Sequence, residues 1–197
     1  MLSIQVDQIE RALKTLEEGG VIVFPTETSY GLGCDATDVN AVKRIFSIKG
    51  RPESKGLPVL IPSGARAGEF IEFSGAVADL AQKYWPGALN IIASIAKDSP
   101  IALECSNNGT QSVRASSHPF AATLVRRFGK PIVATSANVS GAGEAYSVRD
   151  VKANFIDSAE KPDLFIDGGD LPVQAPSTTV KVIGDQVEVI RQGRVIV

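Results

Sequence analysis

The junction at residues 8 to 24 constrains this chain most. Ile9, Ala12, Leu13 and Leu16 recur at helical spacing after a capping Asp7, and Gly19-Gly20 stops the pattern. The uninterrupted apolar run VIVF follows at once, at 21 to 24. A helix over about 8 to 18 that leads directly into a strand apolar on both faces is the pattern of a sheet covered by helices on its two sides. The rhythm then continues. Val39, Val42, Ile45 and Phe46 mark a second helix, LPVLI at 57 to 61 a strand, Val77 to Tyr84 a third helix, and LNIIASIA at 89 to 96 a long strand. Pro119 opens a helix to Phe128, Ser147 to Phe155 is helical, and PIVATS, LFIDGG, TTVKVI and VEVIRQG are strands. Gly184-Asp185 between the last two is a hairpin signal, so the sheet is expected to be mixed.

A chain of 197 residues buries roughly 70% of the surface its unfolded form exposes, so an ordinary core suffices and no staple is required. Without repeats, low-complexity tracts or long linkers, residues 1–197 read as a single domain. Twenty Lys plus Arg against twenty-two Asp plus Glu give a net charge of -2, which offers no bulk attraction to nucleic acid or an anionic membrane. Any basic site must be local. Cys34, Cys105 and the single His118 make neither a disulfide framework nor a conventional four-ligand zinc site, and the compartment reads as reducing and cytoplasmic. The first twenty residues lack the pattern of a signal peptide, and no apolar run reaches the length of a membrane span.

Several segments combine polar groups with turn residues. FPTETSYGLGCD at 24 to 35 follows a buried strand, where α/β proteins place ligands, although Thr26 and Thr28, taken alone, better suit a turn that satisfies its own backbone. KRIFSIKGRPESK at 43 to 55 holds five bases and one acid. Lys43 and Arg44 fit a solvated helix face, while Lys49, Arg51 and Lys55 around Gly50 and Pro52 suit phosphates or plain solvation. Arg114 in SVRASSHP sits in a strand-like run and needs a partner, either a structural carboxylate or an anionic substrate. ATSANVSG at 134 to 141 is a small-residue turn able to cradle an anion or to be a plain loop. Trp85 in WPGAL reads as a packing corner and His118 as a local hydrogen-bonding residue. There is no GxGxxG, no Walker loop and no GxSxG elbow. The residues by themselves describe a mixed-sheet protein with a dispersed anion-binding site.

In order along the chain, FPTETSYGLG, KGRPESKGLPVL, WPGAL, SVRASSHP, PIVATSANVSG, STTV and RQG resemble the YrdC/TsaC family, the threonylcarbamoyl-AMP synthases. The likeness runs from about Leu16 to Gly193, and its short C-terminus resembles the single-domain type. It implies a three-layer α/β fold, α+β in some schemes, with a twisted mixed sheet of YrdC/RibB-like type flanked by helices around a deep basic cavity. It implies a nucleotidyltransferase that makes threonylcarbamoyl-AMP and pyrophosphate from L-threonine, bicarbonate or CO2, and ATP, for N6-threonylcarbamoyladenosine in tRNA.

Matched motif by motif, Thr28, Leu60, Arg114 and Ser177 fall on L-threonine positions. Lys49, Arg51, Lys55, Thr110, Ser136, Asn138 and Arg191 fall on nucleotide positions, with Lys49 and Arg51 carrying the catalytic role. Mg2+ is expected to arrive with ATP rather than on protein ligands. tRNA is the downstream acceptor, TsaD, TsaB and TsaE are the pathway partners, and no membrane is involved. The alternatives are a YciO-like paralogue of different or weak activity and a non-catalytic RNA-binding module.

Overall fold

The computed structural model describes residues 2–52 and 55–197, with the side chains of 2–5 left aside. Glu53 and Ser54 of the basic stretch lie outside the described residues. Helix α1 (Leu2–Glu17) begins earlier than its apolar spacing predicts and leads through Gly19 to β1 (Ile22–Pro25). After β1 the chain turns back on itself into β2 (Tyr30–Gly33), antiparallel to it with Pro25 opposite Tyr30. Helix α2 (Val39–Lys49) is capped by Asp38, whose carboxylate accepts from the backbone of Asn40 and Ala41, and it ends at Gly50, which adopts φ +56.

Strand β3 (Val59–Leu60), helix α3 (Gly75–Tyr84), β4 (Leu89–Ser94), β5 (Thr110–Arg114) and helix α4 (Pro119–Phe128) follow. Then come β6 (Ile132–Val133), β7 (Thr135–Ser136), helix α5 (Val148–Asn154), β8 (Leu164–Phe165), β9 (Thr178–Ile183) and β10 (Gln186–Arg191). The strands form two mixed sheets. The smaller has the order β7-β2-β1-β8 and the larger β10-β9-β4-β5-β3-β6.

PIVATS, read from sequence as one strand, is divided between them. β6 pairs with β3 in the larger sheet, the chain passes Ala134, and β7 pairs with β2 in the smaller. Residues 134 to 136 therefore stand where the two sheets meet. The sharp alternation of β1 explains its continuous apolar run: Ile22 and Phe24 pack in one core with α1 and α4, while Val21 and Val23 join the other with α2. The β9–β10 hairpin forms as its turn residues predict, with Gly184 at φ +60.

Trp85 is buried and its indole N–H donates to the Leu89 carbonyl at 2.7 Å, and His118 caps α4 by accepting from Phe120 N. Both therefore serve the fold. Arg44 reaches Asp163 at 2.8 Å and half-leaves solvent, so it ties α2 to the segment before β8 instead of merely facing water. No described helix is long and apolar enough to cross a membrane.

Candidate functional site

A cavity of about 290 Å³ opens where the sheets meet. Three distant segments each bring an arginine to it: Arg51 after α2, Arg114 at the end of β5 and Arg191 at the end of β10. Glu144 is the carboxylate among the described lining residues, so the wall carries a local excess of positive charge in a chain of net charge -2. Hydroxyls complete it, from Thr26, Thr28, Ser29, Ser112, Thr135, Ser136, Ser177 and Thr179.

The β1–β2 turn supplies one wall. Thr26 Oγ1 donates to the Ser29 carbonyl at 2.7 Å and accepts the amide of Thr28 at 3.3 Å, so Thr26 stabilises the turn while Thr28 lines the cavity. Tyr30 is anchored below: its hydroxyl donates to the Gly169 carbonyl at 2.7 Å and accepts from Gly168 N at 2.9 Å.

Arg114 is 5% exposed. Its Nη1 donates to Ser177 Oγ and lies 3.8 Å from Glu27 Oε1. Burial pushes the Glu27 carboxyl up, but the Arg114 charge and the Ser116 hydroxyl, which donates to Oε2 at 2.5 Å, outweigh it and hold the group below its ordinary value. Arg114 Nε and Glu27 Oε1 are buried without a hydrogen-bond partner. Arg191 donates from Nε and Nη2 to the Ser177 carbonyl at 3.1 and 2.8 Å, so Ser177 joins two of the three arginines. Arg51 donates to the carbonyls of Lys55 at 3.2 Å and Gly56 at 3.0 Å, which folds the basic loop around it.

Of the residues singled out from sequence, Thr28, Arg51, Arg114, Ser136, Ser177 and Arg191 share this cavity. Lys55 and Thr110 line an adjoining hollow of about 240 Å³, to which Arg51, Gly56, Ile92 and Ser112 also contribute. Leu60 is buried in the core cluster of α1 and α4. Lys49 and Asn138 lie behind the wall. The Lys49 ammonium donates to the carbonyls of Ser136 and Asn138 and to Asn138 Oδ1, the last two at 2.8 and 3.1 Å. Burial, reinforced by the like charge of Arg51, pulls its pKa down to about 7. Asn90 and Glu144 also line the cavity without having been marked by any sequence motif, and so does Thr179, which lies within STTV although only Ser177 of that motif was singled out. Asn90 and Thr179 are paired in register on β4 and β9, so a polar residue inside each apolar strand was the available signal.

Among the described residues no group of three or more His, Cys, Asp or Glu is arranged to hold a metal ion. Cys34 and Cys105 are free and buried, and burial pushes the Cys105 thiol up to about 12. The cavity thus offers guanidinium and hydroxyl groups for anions, with no thiolate or imidazole among the residues lining it.

The family model named for Sua5, YciO and YrdC, with the description telomere recombination, matches residues 14–193. A threonylcarbamoyl-AMP synthase of Pseudoalteromonas translucida is 35% identical over 150 residues, 75% of this chain and 80% of that protein. The crystal structure of Pyrococcus abyssi Sua5 complexed with L-threonine is similar at a TM-score of 0.85 and 33% identity. The match covers 94% of this chain and 54% of that one, so this chain spans about half the length of the archaeal protein. The crystal structure of Escherichia coli YciO is similar at a TM-score of 0.82 and 27% identity, over 94% of this chain and 88% of that one.

Proposed function

This chain belongs to the Sua5/YciO/YrdC family, and from that premise we propose that it is a threonylcarbamoyl-AMP synthase. The carrying observation is the convergence of Arg51, Arg114 and Arg191 with Thr28, Ser136 and Ser177 around one cavity. The named relative acts as such a synthase, and the P. abyssi protein holds L-threonine on a closely similar fold.

L-threonine is placed at the end of the cavity walled by Thr28, Arg114 and Ser177, with its carboxylate on the guanidinium of Arg114. The nucleotide is placed across Arg51 toward the adjoining hollow of Lys55 and Thr110, within reach of Ser136 and Arg191. The threonine amine adds to CO2 derived from bicarbonate, losing a proton to form a carbamate. A carbamate oxygen then attacks the α-phosphorus of ATP, its P–O bond forms as the bond to pyrophosphate breaks, and the leaving group departs with the electron pair. Three anionic groups meet in this reaction. Fixed cations that hold them together, and that meet charge developing on the phosphoryl oxygens, supply the catalysis without a protein nucleophile.

Mg2+ is read as the companion of ATP, carried by its triphosphate, because among the described residues the lining contributes one carboxylate, Glu144. The product is read as the donor for N6-threonylcarbamoyladenosine in tRNA, with TsaD, TsaB and TsaE acting downstream. A cytoplasmic site of action suits two free buried thiols. The likeness to YciO keeps a paralogue of different activity as the second reading, since fold similarity does not separate the two.

Turnover separates them. Pyrophosphate release from ATP that requires both L-threonine and bicarbonate is expected. ATP turnover indifferent to threonine, or none, removes the synthase reading. Salt-sensitive RNA binding without turnover would favour the binding module.

A further inference from the structure

Lys49 and Arg51 lie two residues apart, yet only Arg51 enters the cavity. Lys49 closes α2 with 1% of its surface exposed. Its ammonium has three protons and three acceptors: the Ser136 carbonyl, the Asn138 carbonyl and Asn138 Oδ1. None remains for a phosphate. Asn138 is equally committed. Its two amide protons go to the Ala142 and Gly143 carbonyls, and its oxygen also accepts from Ser136 Oγ at 2.6 Å. Ser140 N returns a bond to the Lys49 carbonyl at 2.9 Å, so the contact is reciprocal. The ion pairs among the described residues do not include Lys49. In its protonated form it is satisfied entirely by carbonyl dipoles.

We infer that Lys49 is a positioning residue: its ammonium clamps the 136–138 turn to the end of α2 and thereby fixes where Ser136 and Arg51 enter the nucleotide side of the cavity. This rests on the nucleotide reading of that side. It differs from the role expected for Lys49 in the KGRP segment, which was contact with the nucleotide itself. A lysine that touched the triphosphate would act on the β- and γ-phosphates. A clamp acts on every nucleotide that uses the wall.

The test is direct binding of ATP and of AMP by calorimetry, beside Michaelis constants for ATP and L-threonine, in Lys49→Met, Asn138→Ala and the double variant. Lys49→Met is expected to weaken ATP and AMP by the same factor, about tenfold for a lost charge-assisted contact, with the threonine KM within about twofold of wild type. Asn138→Ala is expected to reproduce that pattern, and adding Lys49→Met to it to cost less than about twofold more, as for two members of one network. The inference is overturned by a loss for ATP far exceeding that for AMP, by unchanged affinities, by an equal rise in the threonine KM, or by losses that multiply in the double variant. Should Lys49→Met fail to fold, Asn138→Ala reads the same comparison. A wild-type protein without threonine-dependent turnover would sink the synthase reading, while the two nucleotide affinities would still test the clamp.

Discussion

Three arginines end in one cavity, and each is held by different neighbours. Arg114 has a hydroxyl and a distant carboxylate, Arg191 a carbonyl shared through Ser177, and Arg51 the carbonyls of its own loop. Replacing Arg114 by Ala would leave Glu27 buried and uncompensated, a loss of roughly 3–5 kcal/mol, so Arg114→Lys is the more informative change. It keeps the charge and removes the planar fork. We expect a rise of roughly a hundredfold in the threonine KM, on the scale of a buried charge-assisted bond, with the ATP KM nearly constant; steady-state kinetics with each substrate varied will read it.

Lys49 yields a second prediction at this scale. Its amine titrates near 7 when folded and near its ordinary 10.5 when unfolded. Between those values the unfolded chain binds the extra proton, so this group makes stability rise with pH across the window, and below pH 7 both states are protonated and the term is flat. Urea unfolding from pH 6 to 10 should show that slope in wild type and a shallower one in Lys49→Met. Identical slopes would contradict the assignment. The need of Arg114 for a partner was legible in its strand-like setting. That Glu27, far away in the sequence, provides it was not, because pairing between loops is a tertiary fact.

At the scale of elements, two places where the sequence misled, YGLG and PIVATS, border the cavity. YGLG has no apolar period and reads as loop, yet β2 pairs with β1 and β7, and Gly33 lets the backbone at Val133 pass close by. A Cβ on Gly33 would stand 2.2 Å from the Val133 carbonyl and 2.8 Å from Phe24. Gly33→Ala is therefore expected to cost about 1–3 kcal/mol by overpacking, seen as a lower urea midpoint with unchanged slope. PIVATS has the alternation of one strand, and only the partners on either side of Ala134 send it into two sheets. The glycine of RQG has a comparable cause. A Cβ on Gly193 would meet the Pro176 carbonyl at 2.2 Å and the Ser177 backbone at 2.7 Å. Gly193→Ala should push the β10 return away from Ser177 and raise the threonine KM about tenfold in a folded protein; an unchanged KM would show that the contact does not set the pocket. By contrast, the helices, the buried β1 run and the β9–β10 hairpin followed from periodicity and turn chemistry, which are local.

Across the whole molecule the charge is slightly negative, so the site depends on where cations are collected rather than on how many the chain carries. Two sheets meeting at residues 134 to 136 make the hollow, and the loop after α2 and the ends of β5 and β10 deliver its arginines. The central claim is that this one hollow gathers threonine and nucleotide side by side. The most direct measurement is a crystal structure of the protein with L-threonine and an unreactive ATP analogue with Mg2+. The account predicts the threonine carboxylate on Arg114 beside Ser177 and the phosphates on the Arg51 side of the same cavity. Ligands bound instead in the apolar hollow beside Trp85 and Val125, or on separate surfaces with Arg51 and Arg114 untouched, would contradict it.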